Sequence, residues 1–160
     1  MLFATVKKFR YPLLVIFLSV LPFISFFLTS NLPHTSDGIP HLARIAAYYK
    51  ELTRGQFPVR WAGDLNFGYG SPIFVFFTPL PYMIGSILLF LGIGLVLSLK
   101  FLFLFSFLLS GIFMYLFAKE FFQDEKMAFL ATIFYQFAPF HLVEIVVRGS
   151  LGSDYSYSFL

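Results

Sequence analysis

The chain has 160 residues, of which 59% are hydrophobic and 22% aromatic, with 25 Phe, no Cys and a mean hydropathy of +0.83. Only 12% are charged and the net charge is +3, against about 25% charged residues in a soluble domain. These values exclude disorder, a coiled coil, a nucleic-acid-binding domain, disulfides and thiol chemistry, and leave little room for a water-soluble globule, because so much apolar surface cannot be hidden in so short a chain.

What remains is an all-α integral membrane protein, and the placement of its charges divides it. Lys7, Lys8 and Arg10 open the chain and no further charge follows until Asp37. The positive-inside rule puts residues 1–10 in the cytoplasm. The apolar stretch 11–30 is long enough to span. It has no small-residue cleavage site after it, so it reads as a retained anchor rather than a signal peptide.

Residues 31–71 then form an external loop, with seven charges between Asp37 and Asp64. A helix fits 38–54, with Ser36 or Asp37 as N-cap, Pro40 in the first turn and Gly55 past the end. Leu42, Ile45, Ala46, Tyr49 and Leu52 recur at helical spacing and predict an amphipathic helix lying on the membrane surface, with Arg44, Lys50, Glu51 and Arg54 turned away. On the same helix His41, Arg44 and Tyr48 cluster, with Asp37 just before them.

The competing structural roles are ordinary ones. Asp37 serves as a helix cap, Arg44 and Arg54 meet lipid head groups, and Trp61 anchors at the interface. His34, Asp37 and His41 are of metal-ligand type, the candidates for a divalent ion, but lack the spacing of a zinc site. The Gly-rich run 66–72 has neither the Lys nor the preceding strand of a phosphate-binding loop.

The later segments are 72–94, 97–118 and 127–147, giving four hydrophobic segments in all. Pro72, Pro79 and Pro81 break the first of these, so it is either a span or a juxtamembrane, re-entrant segment. In the first case Lys100 is cytoplasmic. In the second the cluster at 119–126 is cytoplasmic, there are three transmembrane helices, and 148–160 lies outside as the start of a further helix. Glu144 and Arg148 form an i,i+4 pair within the last segment, where an ionisable residue points to function.

The order of these features resembles the start of the C-type (GT-C) membrane glycosyltransferases. Asp37-Gly-x-Pro-His-Leu-Ala-Arg44, Gly55-Gln-Phe-Pro-Val-Arg-Trp61 and Gly68-Tyr-Gly-Ser-Pro-Ile-Phe74 resemble a bacterial and archaeal subgroup named "6-pyruvoyl-tetrahydropterin synthase-related". Pro79-Leu-Pro-Tyr82 is similar to a juxtamembrane segment of protein mannosyltransferases and lipid A aminoarabinose transferases. Arg148 and Asp154 are similar to an outer-face Arg…Asp pair, although the subgroup places its acidic residue where Ser153 stands.

The resemblance favours the second topology and implies that the chain is the N-terminal portion of a longer polytopic domain in the cell membrane. It implies transfer of a sugar from a polyprenyl-phosphate donor to a glycan, lipid or protein acceptor on the outer face, with inversion at the anomeric centre. Asp37 would be the base, with His41, Arg44, Arg60, Arg148 and Asp154 binding substrate. The alternative is a non-enzymatic membrane protein that handles or exports lipid-linked polymer, its arginines binding head groups.

Overall fold

A computed structural model describes residues 2–151, with side chains described from Arg10 onward; Asp154 therefore lies outside the described residues. The first apolar segment is a helix, α1 (Leu2–Val20), that runs through a single 3₁₀ turn (Leu21–Phe23) into α2 (Ile24–Leu28). The tighter turn coincides with Pro22 in its first positions, where a missing N–H is tolerated. The loop helix is α3 (Gly38–Thr53), followed by an irregular stretch, α4 (Ile73–Phe76) and α5 (Leu80–Phe90). Next come α6 (Leu95–Phe122), α7 (Glu125–Gln136), α8 (Pro139–Leu142) and a π-helical turn, Val143–Arg148. No strand occurs among the described residues, only an isolated bridge between Ala62 and Ser71.

Two stretches are long and apolar enough to cross a membrane, Arg10–Leu28 and Leu95–Phe122. A third qualifies if α7 and the Pro139–Arg148 pair count together, although they are bent by 51°. This corrects the count of four hydrophobic segments. The predicted segment 72–94 is not continuous: it divides at Phe77–Pro79 into α4 and α5, and the 11-residue α5 rises only about 16 Å. Pro79 and Pro81 start α5 instead of interrupting it, because Pro is pre-organised for a first turn.

Large apolar side chains cover the exterior as well as the core, and small polar ones go inside. Phe17, Leu28, Phe105, Phe113, Leu116, Phe117, Phe121 and Phe134 are exposed, while Ser19, Ser86, Ser98, Ser106, Ser110, Thr132 and Gln136 are buried. Water does not tolerate an apolar exterior of that extent, and lipid does. Small residues inside let the helices approach closely. The centre of the bundle is a hydrogen-bonded knot. Gln136 Nε2 donates to Ser19 Oγ at 2.9 Å and to the Phe107 carbonyl at 3.0 Å, and Ser19 Oγ donates to the Val15 carbonyl at 2.7 Å. Gly111 makes room for it, since a Cβ there would stand 2.6 Å from Gln136 Cδ. Gly111→Leu should therefore drive α7 off α6 and destabilise the bundle by about 1–3 kcal/mol. A thermal melt in detergent followed by helical ellipticity reads this directly, and an unshifted melt would contradict it.

The same contacts set which ends lie together. Val15 packs with Tyr115, Ala118 and Ala128, and Phe23 packs against Phe107. Lys100 Nζ donates to the Thr29 carbonyl at 2.6 Å. So α6 starts where the first span stops and runs back beside it. Lys100 is a helical, buried residue.

The turn from α6 to α7 illustrates how local chemistry holds an end. Gln123 adopts a left-handed conformation (φ 53°), and Asp124 caps α7 by accepting from the Lys126 and Met127 N–H groups. Those two bonds hold the Asp124 carboxyl below its usual range, a common effect of amide donors on a carboxylate.

Candidate functional site

Helix α3 docks on the other helices. Its buried residues are Gly38, His41, Ile45, Ala47, Tyr48 and Glu51, and it packs on α5 and α6. The buried face is turned from the predicted stripe: Ile45 belongs to both, Leu42 and Leu52 are partly buried, and His41, Tyr48 and Glu51 replace Ala46 and Tyr49 at the centre. Glu51 tolerates burial because its Oε1 accepts from Arg54 Nη1 at 2.8 Å and from the Gly63 N–H at 3.2 Å. It thus ties the helix to the following loop, as does the ion pair of Lys50 with Asp64. Trp61 lies against Gly70, whose φ of +80° and missing Cβ leave room for the indole.

Asp37 occupies the N-cap position of α3, yet its side chain makes no capping hydrogen bond. Its carboxylate faces Arg148 instead, with Oδ2 3.8 Å from Nε. Arg148 is held from behind by the buried Glu144, its Nη1 lying 3.0 and 3.2 Å from the two carboxylate oxygens. Both residues lie on the π-helical turn, a widening of the helix that is frequent at functional sites. The Gly149 and Ser150 N–H groups both return to the Glu144 carbonyl.

The two strands of backbone that carry the pair are clipped together. The Ser36 N–H donates to the Val147 carbonyl at 3.1 Å and the Asp37 N–H to the Arg148 carbonyl at 2.9 Å. Both acid and base side chains remain accessible, Arg148 at 57% and Asp37 at 42%. An ion pair that open adds little to stability, so stability alone does not account for its placement.

Behind Asp37, His41 and Arg44 converge on Tyr82 of α5. His41 Nδ1 and Arg44 Nη1 each lie 3.2 Å from the Tyr82 hydroxyl. Arg44 also rests its guanidinium 4.4 Å from the centroid of Phe77, a cation–π contact. Arg44 can only donate, so the hydroxyl accepts from it, and the direction of its bond with Nδ1 is set by the tautomer of the ring. The imidazole is therefore directed to Tyr82 and not to Asp37. Burial, and to a lesser degree the charge of Arg44, bring the His41 pKa down from 6.5 to about 4.

The sign of the pH effect follows. A neutral buried histidine resists protonation that the unfolded chain accepts, so stability is full above about pH 6.5 and declines as pH falls toward 4. His41→Gln should flatten that acid slope in a melt taken across this range. A slope unchanged by the substitution would remove His41 as its source.

The other expected residues are placed differently. Arg60 has its N–H bound to Gln56 Oε1 at 2.8 Å and an exposed side chain, outside the Asp37 group. His34 is exposed, and among the described residues no three His, Asp or Glu side chains gather to hold a metal. His34, Asp37 and His41 thus do not fit a divalent ion as a set. Tyr82, absent from the sequence-derived residues, is the hub of the cluster. The sequence signal for it was the Pro-Leu-Pro run just before it.

One buried side-chain atom beside the site, Thr35 Oγ1, lacks a hydrogen-bond partner. Unpaired buried polar atoms are scarce in folded proteins, and a functional role is one of their recognised explanations. No known protein family, curated protein or solved structure matches the chain.

Proposed function

We propose that this chain carries the acceptor-activating centre of a membrane glycosyltransferase using a polyprenyl-phosphate sugar donor. The observation that carries the reading is the Asp37 carboxylate: it stands at a helix cap without capping, accessible, 3.8 Å from Arg148. In this reading Asp37 takes the proton of the acceptor hydroxyl as it attacks the anomeric carbon, and the sugar–phosphate bond breaks on the opposite face. The phosphate leaves with added negative charge, and the guanidiniums of Arg148 and Arg44 stabilise it. Tyr82 and His41 position Arg44.

The reading places the Asp37 cluster, α4 and α5 on the outer side, with residues 1–10 and 119–126 in the cytoplasm and 72–94 at the outer interface. It is supported by the basic start of the chain and by the Lys100–Thr29 hydrogen bond, which returns the chain to the end of the molecule it had left. The test is sugar transfer by membranes expressing Asp37→Asn.

A further inference from the structure

The start of α6 holds a buried cation without a counter-charge among the described residues. Lys100 is 2% exposed, and its ammonium donates a single hydrogen bond, to the Thr29 carbonyl. Among the described residues it enters no ion pair. An ammonium carries three donors and is costly to bury unpaired. Its side chain points back toward the helix N-terminus, as long side chains in helices do.

There it lines a crevice of about 410 Å³ with Phe27, Thr29, Ser30, Leu95 and Leu97. Gly94 caps α6 without any side-chain hydrogen bond, which leaves the first N–H groups of the helix without an intrahelical or capping acceptor. The 28-residue helix also directs the positive end of its dipole to this place. Charge, donors and dipole all call for an anion, whereas Phe27, Leu95 and Leu97 offer it apolar walls. A second groove of about 470 Å³ begins further along α6, lined by apolar side chains, among them Ile84, Leu88, Ile93, Phe101 and Leu104.

We propose that this crevice binds the phosphate of an anionic lipid head group, with Lys100 as its counter-ion and the groove beside Phe101 taking hydrocarbon. The site shares no hydrogen bond or ion pair with the Asp37 cluster and does not depend on the glycosyl-transfer reading.

The test compares the protein in nanodiscs of phosphatidylglycerol and of phosphatidylcholine, with native mass spectrometry counting retained lipid and a melt reporting stability. The expected result is preferential retention of phosphatidylglycerol, reduced about tenfold or more by Lys100→Met, the scale of a lost charge-assisted contact. Leu97→Glu, at an exposed wall of the crevice, should reduce retention without touching the buried lysine, and so reads the site even where Lys100→Met fails to fold. Equal retention of the two lipids, or phosphatidylglycerol retention indifferent to Leu97→Glu, overturns the proposal. Inorganic phosphate in detergent that raises the melting point as much as phosphatidylglycerol does overturns the lipid assignment.

Discussion

If Asp37 is the base of the proposed transfer, Asp37→Asn should lower sugar transfer about a hundredfold or more and leave membrane insertion and helical content as they were. The size follows from what a positioned base contributes, about 10²–10⁴ in rate. Asparagine keeps the volume and one acceptor oxygen of the side chain but cannot take the acceptor's proton. It also keeps the backbone contacts of residue 37, whose N–H binds the Arg148 carbonyl and whose carbonyl accepts from the His41 N–H. The substitution is therefore mild for the fold: the aspartate makes no cap hydrogen bond to lose, and its ion pair with Arg148 is open to solvent. The measurement is transfer from a polyprenyl-phosphate sugar by membranes of matched protein content, beside protease accessibility of the loop. Full transfer by the variant would eliminate Asp37 as the base. Indifference to Asp37→Asn combined with graded losses on neutralising Arg44, Arg54 or Arg60 would instead describe a carrier of lipid-linked polymer.

The helices were largely legible because apolar runs and turn chemistry are local signals. The predicted 38–54 became Gly38–Thr53, and the predicted 97–118 lies within Leu95–Phe122. The face that α3 buries was not legible. Glu51 counts as polar in any periodicity, and only the arrival of the Gly63 N–H and the Arg54 guanidinium lets it go inside. Lys100 fell inside the predicted segment 97–118, but its burial was not legible, because its partner, the Thr29 carbonyl, is 71 residues away in sequence.

The candidate site shows the same division. Helical spacing alone joined Asp37, His41 and Arg44, which sit on one helix start. Tyr82 enters from α5, and Arg148 from a π-helical turn; those contacts are tertiary, and the sequence marked Arg148 as an ionisable residue paired with Glu144 without showing that it faces Asp37. Arg60 shared that resemblance and remained outside the cluster, since nothing in a short motif fixes where an exposed loop side chain ends up.

What brings the two halves of the site together is a backbone contact with no room for a side chain, and Gly149→Val should break it. Gly149 has φ of +71°, a region that costs an L-residue about 1–2 kcal/mol and suits a β-branched one least. Its Cβ would also stand 2.6 Å from Thr35 Oγ1 and 2.7 Å from Thr35 Cβ. Because Thr35 lies just ahead of Ser36 and Asp37, relief of that overlap must draw residues 147–150 away from 35–37. The Ser36–Val147 and Asp37–Arg148 backbone hydrogen bonds lengthen with it. Each is worth about 1 kcal/mol, so the expected loss of stability is about 2–4 kcal/mol, concentrated at this contact. Packing of α1 against α6 and α7 around Val15, Tyr115 and Ala128 is remote from it, and insertion should persist. Transfer should fall at least about tenfold, because an offset of the order of an ångström at a catalytic pair is enough for that. Hydrogen exchange at Ser36 and Asp37 distinguishes this from general unfolding: both amides should lose protection while those of α6 keep theirs. Unchanged protection at both amides together with unchanged transfer would show that the contact does not hold the site.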